Sequence, residues 1–353
     1  GKPIINMGIG SPDLFPSKLV IDTLKNSLEY QGAHKYQSYQ GLLELRKAIS
    51  RFYFKFFDVQ SNPVNEVLPL MGSKEGIMHI SLAFLNPGDE VLIPNPGYPT
   101  YSSVTKLVEA TPIFYDLSKE NNWFPNLLDL EKKDLSRVKI MWINYPHMPT
   151  GSSATINQFK VLIDFSKKHK ILLINDNPYS FILNNDFVSL LSIKNAKENC
   201  MELNSLSKAF NLSGWRIGML LGSKENISSV LKVKSNMDSG MFYGIQKGAI
   251  QALNLDNKWF DSLNVIYSKR RILMWELASI LKCEVDKSSK GLFVWAKLPV
   301  GINSSEQFIN NILTEKNIFI APGIIFGSNG EGYIRFSLCI DEEKIKEAIK
   351  RFK

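Results

Sequence analysis

Cysteine is scarce in this chain: Cys200, Cys283 and Cys339 are odd in number and far apart. That spacing excludes a disulfide framework and points to a reducing, cytoplasmic setting. The four histidines, His34, His79, His147 and His169, show no metal-ligand spacing, so no metal site is expected. No apolar run approaches the roughly 20 residues of a membrane span. The front carries no signal-peptide pattern. It opens at Gly1 and passes almost at once into Ile4-Ile5-Asn6-Met7-Gly8-Ile9, so a trimmed N-terminus is expected. Arginine is also rare, eight of 42 basic residues, and the lysines are mostly spread singly, Lys269-Arg270-Arg271 being the densest cluster. The net charge of +8 therefore reads as a solvated lysine-rich surface, without nucleic acid as a partner. Arg216 and Arg335, in glycine-rich or apolar settings, stand out because their fork suits phosphate and carboxylate.

What is present is enough chain, 353 residues at 44% hydrophobic and 22% charged, for two domains with substantial cores. A helical pattern begins after Gly41 with Leu42, Leu45, Ile49, Phe52 and Phe56. Strand-like and helix-like segments then alternate: Val67–Leu70, Glu90–Ile93, Ile113–Tyr115, Lys139–Asn144 and Ile171–Asn175, with helices to about Leu85, near Thr100–Glu109 and near Ile156–His169. The alternation predicts an α/β fold with a mostly parallel sheet covered on both faces. From Lys224 toward Leu281 a long helical region is expected, with a break before Asn257. It is followed by an antiparallel set, Cys283–Asp286, Gly291–Leu298, Ile318–Ile320 and Tyr333–Cys339, and by helices at Ser304–Glu315 and from Asp341 onward. The expected division is an N-terminal segment 1–35 belonging to a smaller α+β domain, a large domain 36–235, and an interdomain helix with the small domain over 236–353.

Four stretches carry chemistry. Met71-Gly72-Ser73-Lys74-Glu75-Gly76 stands where a strand gives way to a helix, and such a terminus, with free N–H groups, suits an anion as readily as it suits ordinary capping. Pro94-Asn95-Pro96-Gly97-Tyr98-Pro99-Thr100-Tyr101 sets a tyrosine, Tyr98, beyond a strand end, either a stacking platform or a packed loop residue. Asp176 ends the apolar run Ile171-Leu172-Leu173-Ile174 and needs a partner, for which a protonated ring nitrogen would serve as well as a turn; Tyr179 lies three residues on. Asn204-Ser205-Leu206-Ser207-Lys208-Ala209-Phe210 reads as a lysine-bearing loop between two short strands, and by itself leaves Lys208 open as a snorkelling lysine or a nucleophile.

Taken in order, these stretches, the turn Asn144-Tyr145-Pro146-His147-Met148-Pro149-Thr150-Gly151, and Arg216 and Arg335 resemble the class I/II aminotransferases, the fold-type I family dependent on pyridoxal 5′-phosphate (PLP), over essentially the whole chain. The resemblance implies that Lys208 carries PLP as an internal aldimine and shuttles the proton at the substrate's α carbon. It implies Asp176 at the pyridinium nitrogen, Tyr179 at the ring's 3′ oxygen and Tyr98 stacked on the ring. Gly72, Ser73, Lys74, Ser205, Ser207 and Arg216 would surround the cofactor and its phosphate, Arg335 would bind the substrate α-carboxylate, and Gly10 would line that site. Tyr36 would reach the phosphate in a partner subunit, which implies a homodimer with shared active sites.

One residue departs from the family pattern: Met148 stands where the family has asparagine, and a thioether cannot donate to the 3′ oxygen. Unless His147 or water substitutes, Tyr179 is left alone there. The implied activity is ping-pong amino transfer between an L-amino acid and a 2-oxo acid, the alternatives being a C–S β-elimination lyase on the same fold and a non-catalytic regulatory or binding protein. The Ser235-Asn236-Met237-Asp238-Ser239-Gly240-Met241-Phe242 segment and the Gly72-Ser73-Lys74-Glu75-Gly76 form lie closer to the branch with diaminopimelate, alanine, aromatic and methionine aminotransferases than to the aspartate enzymes.

Overall fold

A computed structural model describes residues 3–353. The strands, in chain order, are β1 (Ile5–Asn6), β2 (Val67–Leu70), β3 (Glu90–Asn95), β4 (Thr111–Asp116), β5 (Val138–Ile143), β6 (Leu172–Asp176), β7 (Cys200–Ser205), β8 (Gly218–Leu221), β9 (Glu284–Val285), β10 (Phe293–Lys297), β11 (Ile318–Phe319), β12 (Ala321–Pro322) and β13 (Tyr333–Ser337). Seven of them form one sheet in the order β2-β8-β7-β6-β5-β3-β4. Only β8 runs antiparallel to its neighbours, so the sheet is mostly parallel, as the alternation predicted.

The apolar runs of the central strands follow from burial on both faces. Successive side chains point to opposite sides. Ile140 and Trp142 of β5 therefore join one core with Val91, Ile93 and Ile174, while Met141 and Ile143 join the other with Leu92 and Leu173. On the second side the helix Leu43–Phe57 meets the long helix Asn257–Ile280 through phenylalanines, with Phe181 and Phe260 stacked at 4.5 Å. Such pairs contribute about 0.5–1.5 kcal/mol beyond their buried area.

Three expectations are corrected. The stretch from Lys224 has two breaks: helices Lys224–Lys234, Tyr243–Leu253 and Asn257–Ile280 are separated first at 235–242. There Asp238 accepts from Lys234 and from the backbone of Gly240, whose φ of 88° no helix allows. Ile318–Phe319 does not join the antiparallel sheet but pairs in parallel with Ile5–Asn6; Ala321–Pro322 takes the place beside β13 in the sheet β12-β13-β10-β9. Lys208 lies in a one-turn helix, Leu206–Ala209, capped by Ser205, and not in a loop. Among the described residues no helix is long and apolar enough to cross a membrane.

The chain runs from β3 outward to β4 and returns to β5 on the other side of β3, so strand order reverses between β3 and β5. Ligands of open α/β sheets bind beyond the carboxyl ends at such a reversal. Tyr98 follows β3, Asn144 follows β5, Asp176 closes β6 and Lys208 follows β7. Because β8 is antiparallel, Arg216, two residues before its start, lies at the same edge.

Candidate active site

A cavity of about 690 Å³ opens at this edge and brings together Gly10, Ser73, Lys74, Tyr98, Asp176 and Tyr179 with Ser205, Ser207, Lys208, Arg216 and Arg335. Its floor is Asp176. The hydroxyl of Tyr101 donates to Asp176 Oδ2 at 2.8 Å, whereas Oδ1 is buried and has no partner. Burial pushes this carboxyl from its ordinary 3.8 up to about 7, against the Tyr101 hydrogen bond and the charge of Lys208, which favour ionisation. A half-satisfied buried carboxylate is costly, and an N–H donor or a cation in the cavity would relieve it.

Lys208 Nζ donates to the carbonyl of Gly10 at 2.5 Å. Burial lowers its pKa below the ordinary lysine value; Arg335 and Arg216 add to the lowering, while Cys339 and Asp176 oppose it. A lysine in this setting is more readily uncharged, and so more nucleophilic, than a solvated one.

The anion side is built on Gly72, the N-cap of the helix Ser73–Phe84, at φ 97°. A Cβ there would fall 2.2 Å from Arg216 Nη2, so a side chain at this position would displace the guanidinium. Arg216 itself holds a left-handed φ of 56°, uncommon outside glycine, and its Nη1 donates to Ser213 O at 2.9 Å. The free N–H groups of the helix start, Lys74 and Arg216 thus converge on one region suited to a phosphate. Ser205 Oγ accepts from Ser207 N at 3.1 Å, which starts the short helix that carries Lys208.

Arg335 lies between two rings, 4.0 Å from the Phe293 centroid and 4.6 Å from that of Phe326. Its Nη2 donates to Gly8 O at 2.7 Å, and Nε is buried without a partner. Burial lowers its pKa to about 10, which leaves it a cation at neutral pH. Tyr179 packs edge-on against Phe293, and burial holds its phenol above the ordinary range, a neutral donor.

Two side chains named in the sequence lie outside the cavity of their own chain. Tyr36 is 89% exposed and does not line the cavity of its own chain. His147 does not line it either: Nδ1 meets Thr150 Oγ1 at 2.8 Å, and burial drives its pKa down to about 3. It is therefore no substitute for the asparagine replaced by Met148. Met148 lines the cavity with its sulfur beside Arg335.

Several participants were missed in the sequence. Tyr101 follows Tyr98 by three residues at a helix start, a spacing that sets both on one side. Asn144 donates to Asp176 O at 2.5 Å and accepts from Met148 N at 2.8 Å, tying two strand ends together. Asp13 holds Arg270 through two contacts, 2.7 and 2.9 Å, 257 residues apart, with no local signal to announce it. Glu75, His79 and Asp238 also gather, with ligand-type atoms within 4.8 Å of one another. Asp238 already has a cation, the buried ammonium of Lys234 at 2.9 Å.

The profile of the family described as aminotransferase class I and II matches residues 2–352. A protein of Aquifex aeolicus named LL-diaminopimelate aminotransferase is 39% identical over 355 residues, covering 100% of this chain and 92% of its own. Among solved structures, substrate-bound BacF from Bacillus subtilis superposes with a TM-score of 0.94 at 34% identity, covering 99% of this chain and 89% of its own. An aminotransferase from Staphylococcus aureus gives 0.93 at 32% identity, covering 99% and 93%.

Proposed function

The chain belongs to the class I and II aminotransferases, and from that premise we propose that it binds PLP in the cavity around Lys208 and uses it to move an amino group from an L-amino acid to a 2-oxo acid. The observation that carries the cofactor reading is the unpartnered, buried Oδ1 of Asp176, which fits a ring N–H. The cradle of Gly72, Ser73, Lys74 and Arg216 fits the phosphate, and Ser205 and Ser207 shape the turn beside it.

When bound, PLP supplies an electron-poor ring that draws charge away from the substrate's α carbon. Lys208 would hold the cofactor and, once free of it, would take and return the α proton. Asp176 would keep the ring nitrogen protonated, Tyr179 would donate to the 3′ oxygen, and Tyr98 would cover one face of the ring. Arg335 grips the α-carboxylate; the two phenylalanine faces fix the plane of its guanidinium, so that a two-pronged contact costs little further ordering. Gly10, whose carbonyl now accepts from Lys208, lines the carboxylate site.

The relatives reported above support an aminotransferase, and none lends support to a β-elimination lyase or to a non-catalytic protein. LL-diaminopimelate is the first donor to test, from the name of the Aquifex aeolicus relative. A second reading, a donor with an apolar side chain, is favoured by the lining: Ile9, Phe293, Ile325 and Phe326 contribute, and Asp176 is the only carboxylate there among the described residues. A distal ammonium would find no further carboxylate among the described residues that line the cavity. Exposed Tyr36 supports a homodimer in which it completes the partner's site. The pairing of β1 with β11 supports assigning segment 1–35 to the unit 236–353. The cysteines, none of them paired, support a cytoplasmic setting.

The test is to load the purified protein with PLP and add single amino acids, LL-diaminopimelate and apolar donors among them, while following the visible band. Donors that are substrates bleach it as the amino group is taken up, and a 2-oxo acid restores it. A protein that takes up PLP but responds to no donor would refute the activity.

A further inference from the structure

We infer that Tyr101 is a positioning residue for the cofactor-binding carboxylate: its hydroxyl, bonded to Asp176 Oδ2, favours the ionised form and leaves Oδ1 for the ring nitrogen. This rests on the PLP reading above, but on contacts of this chain that the family resemblance did not assign.

Tyr101 is 1% exposed and cannot turn away. Its ring is stacked on Trp142 at 5.0 Å and 7°, and Tyr98 meets it edge-on at 5.6 Å and 88°. Trp142 is itself fully buried in β5, in the core that also holds Val91, Ile93 and Ile174, so the phenol is aimed by packing within the protein itself. At 2.8 Å its O–H has one acceptor, Oδ2 of Asp176. A hydrogen bond to one carboxylate oxygen fixes the rotation of the group, and with it the place of the other oxygen. Fixing Oδ1 before the cofactor arrives removes an ordering cost that the cofactor would otherwise meet.

The groups facing Asp176 act in both directions. Lys208, from the short helix after β7, and Tyr101, from the helix Pro99–Leu107, favour its charge; Glu202, from β7, opposes it. Tyr179, three residues on, and Tyr53, from the helix Leu43–Phe57, sense the same carboxylate, and Tyr98 stands beside Tyr101. Of these only Tyr101 donates a hydrogen bond to it. Burial and the nearby carboxylate hold the Tyr101 phenol well above its ordinary range, so it remains a donor throughout the working pH range. An ionised Asp176 pairs with a protonated ring nitrogen, whereas a neutral one cannot, so PLP affinity should weaken as pH falls through the titration of Asp176.

The experiment is a PLP titration of the cofactor-free protein at a series of pH values, comparing the parent with Tyr101→Phe and with a fluorinated tyrosine inserted at position 101. Phenylalanine keeps the stack on Trp142 and deletes only the donor; the inflection in affinity should move up by about one pH unit or more. The fluorinated phenol is a stronger donor and should move it down. Inflections that coincide in all three proteins would overturn the inference. If near-ultraviolet circular dichroism finds Tyr101→Phe unfolded, the fluorinated protein decides alone, an unmoved inflection counting against. A parent that takes up no PLP at any pH would instead bring down the cofactor reading, and this inference with it.

Discussion

The sulfur of Met148 lies 3.3 Å from Nη1 of Arg335, so the residue that departs from the family pattern touches the arginine assigned to the substrate carboxylate. Met148 is 5% exposed, and its backbone N–H is taken by Asn144. The departure therefore bears on substrate binding as well as on the 3′ oxygen. Met148→Asn should keep PLP bound and lower KM for the amino donor by about 5-fold, the worth of one added neutral hydrogen bond. Steady-state kinetics check it, and an unchanged KM would mean that position 148 does not meet the carboxylate.

Lys208→Ala should remove the visible band of the PLP-loaded protein and lower the amino-transfer rate by several orders of magnitude, because covalent attachment and the proton shuttle are lost together. A wild-type protein that stays colourless with excess PLP would contradict the assignment of Lys208.

Asp176 makes the stability of the cofactor-free protein depend on pH. Its folded-state value is raised, from 3.8 to about 7, so the folded chain keeps a proton that the unfolded chain has already released. Stability falls as pH rises from about 4 to about 7 and is level above, by at most on the order of 4 kcal/mol. Asp176→Asn should then melt higher than the parent at pH 8, the gap closing near pH 4, while PLP affinity drops. Thermal melts at the two pH values test the sign.

Asp13 and Arg270 tie the N-terminal strand and loop to the helix Asn257–Ile280. That loop supplies Gly8 O to Arg335 and Gly10 O to Lys208. Arg270 is 3% exposed, and Asp13→Asn would leave it with Leu338 O as a remaining acceptor. The expected cost is about 2 kcal/mol in stability, below the range for a fully buried pair because Asp13 is partly solvated, with KM raised more than kcat is lowered. Equal loss in both parameters would argue against a role in binding.

Tyr36→Phe should weaken PLP binding by about 10-fold if its hydroxyl reaches a partner's phosphate, the loss expected for a hydrogen bond to a charged group. Mixing Tyr36→Phe with Lys208→Ala should yield hybrid dimers with one site free of both substitutions. Sedimentation finding only monomers would remove the basis of this reading.

Much of the architecture was legible because periodicity is a local property. Short apolar segments bounded by glycine, proline or polar turns became β2 to β6, the two short strands expected on either side of Lys208 became β7 and β8, and the lysine, aspartate and glycine-serine motifs already stood at strand ends in the sequence. The helix break at 235–242 was less legible, since Asp238 and Gly240 end a helix through a contact with Lys234 and a positive φ that composition alone does not announce. Ile318–Phe319 was misplaced because a two-residue strand has no pattern from which to read its partner.

The sequence by itself determined the family: a lysine, an aspartate, two arginines and a glycine at a helix start stand in the order that marks the class I and II aminotransferases. Only the tertiary structure decided how these groups are held. It brought Tyr101 onto Asp176 across 75 residues, set Met148 against Arg335 across 187, and locked Asp13 to Arg270 across 257. Periodicity reports which way a side chain faces within its own element; which side chain meets it from another is set by sheet order and close packing, and no short stretch of chain carries that information.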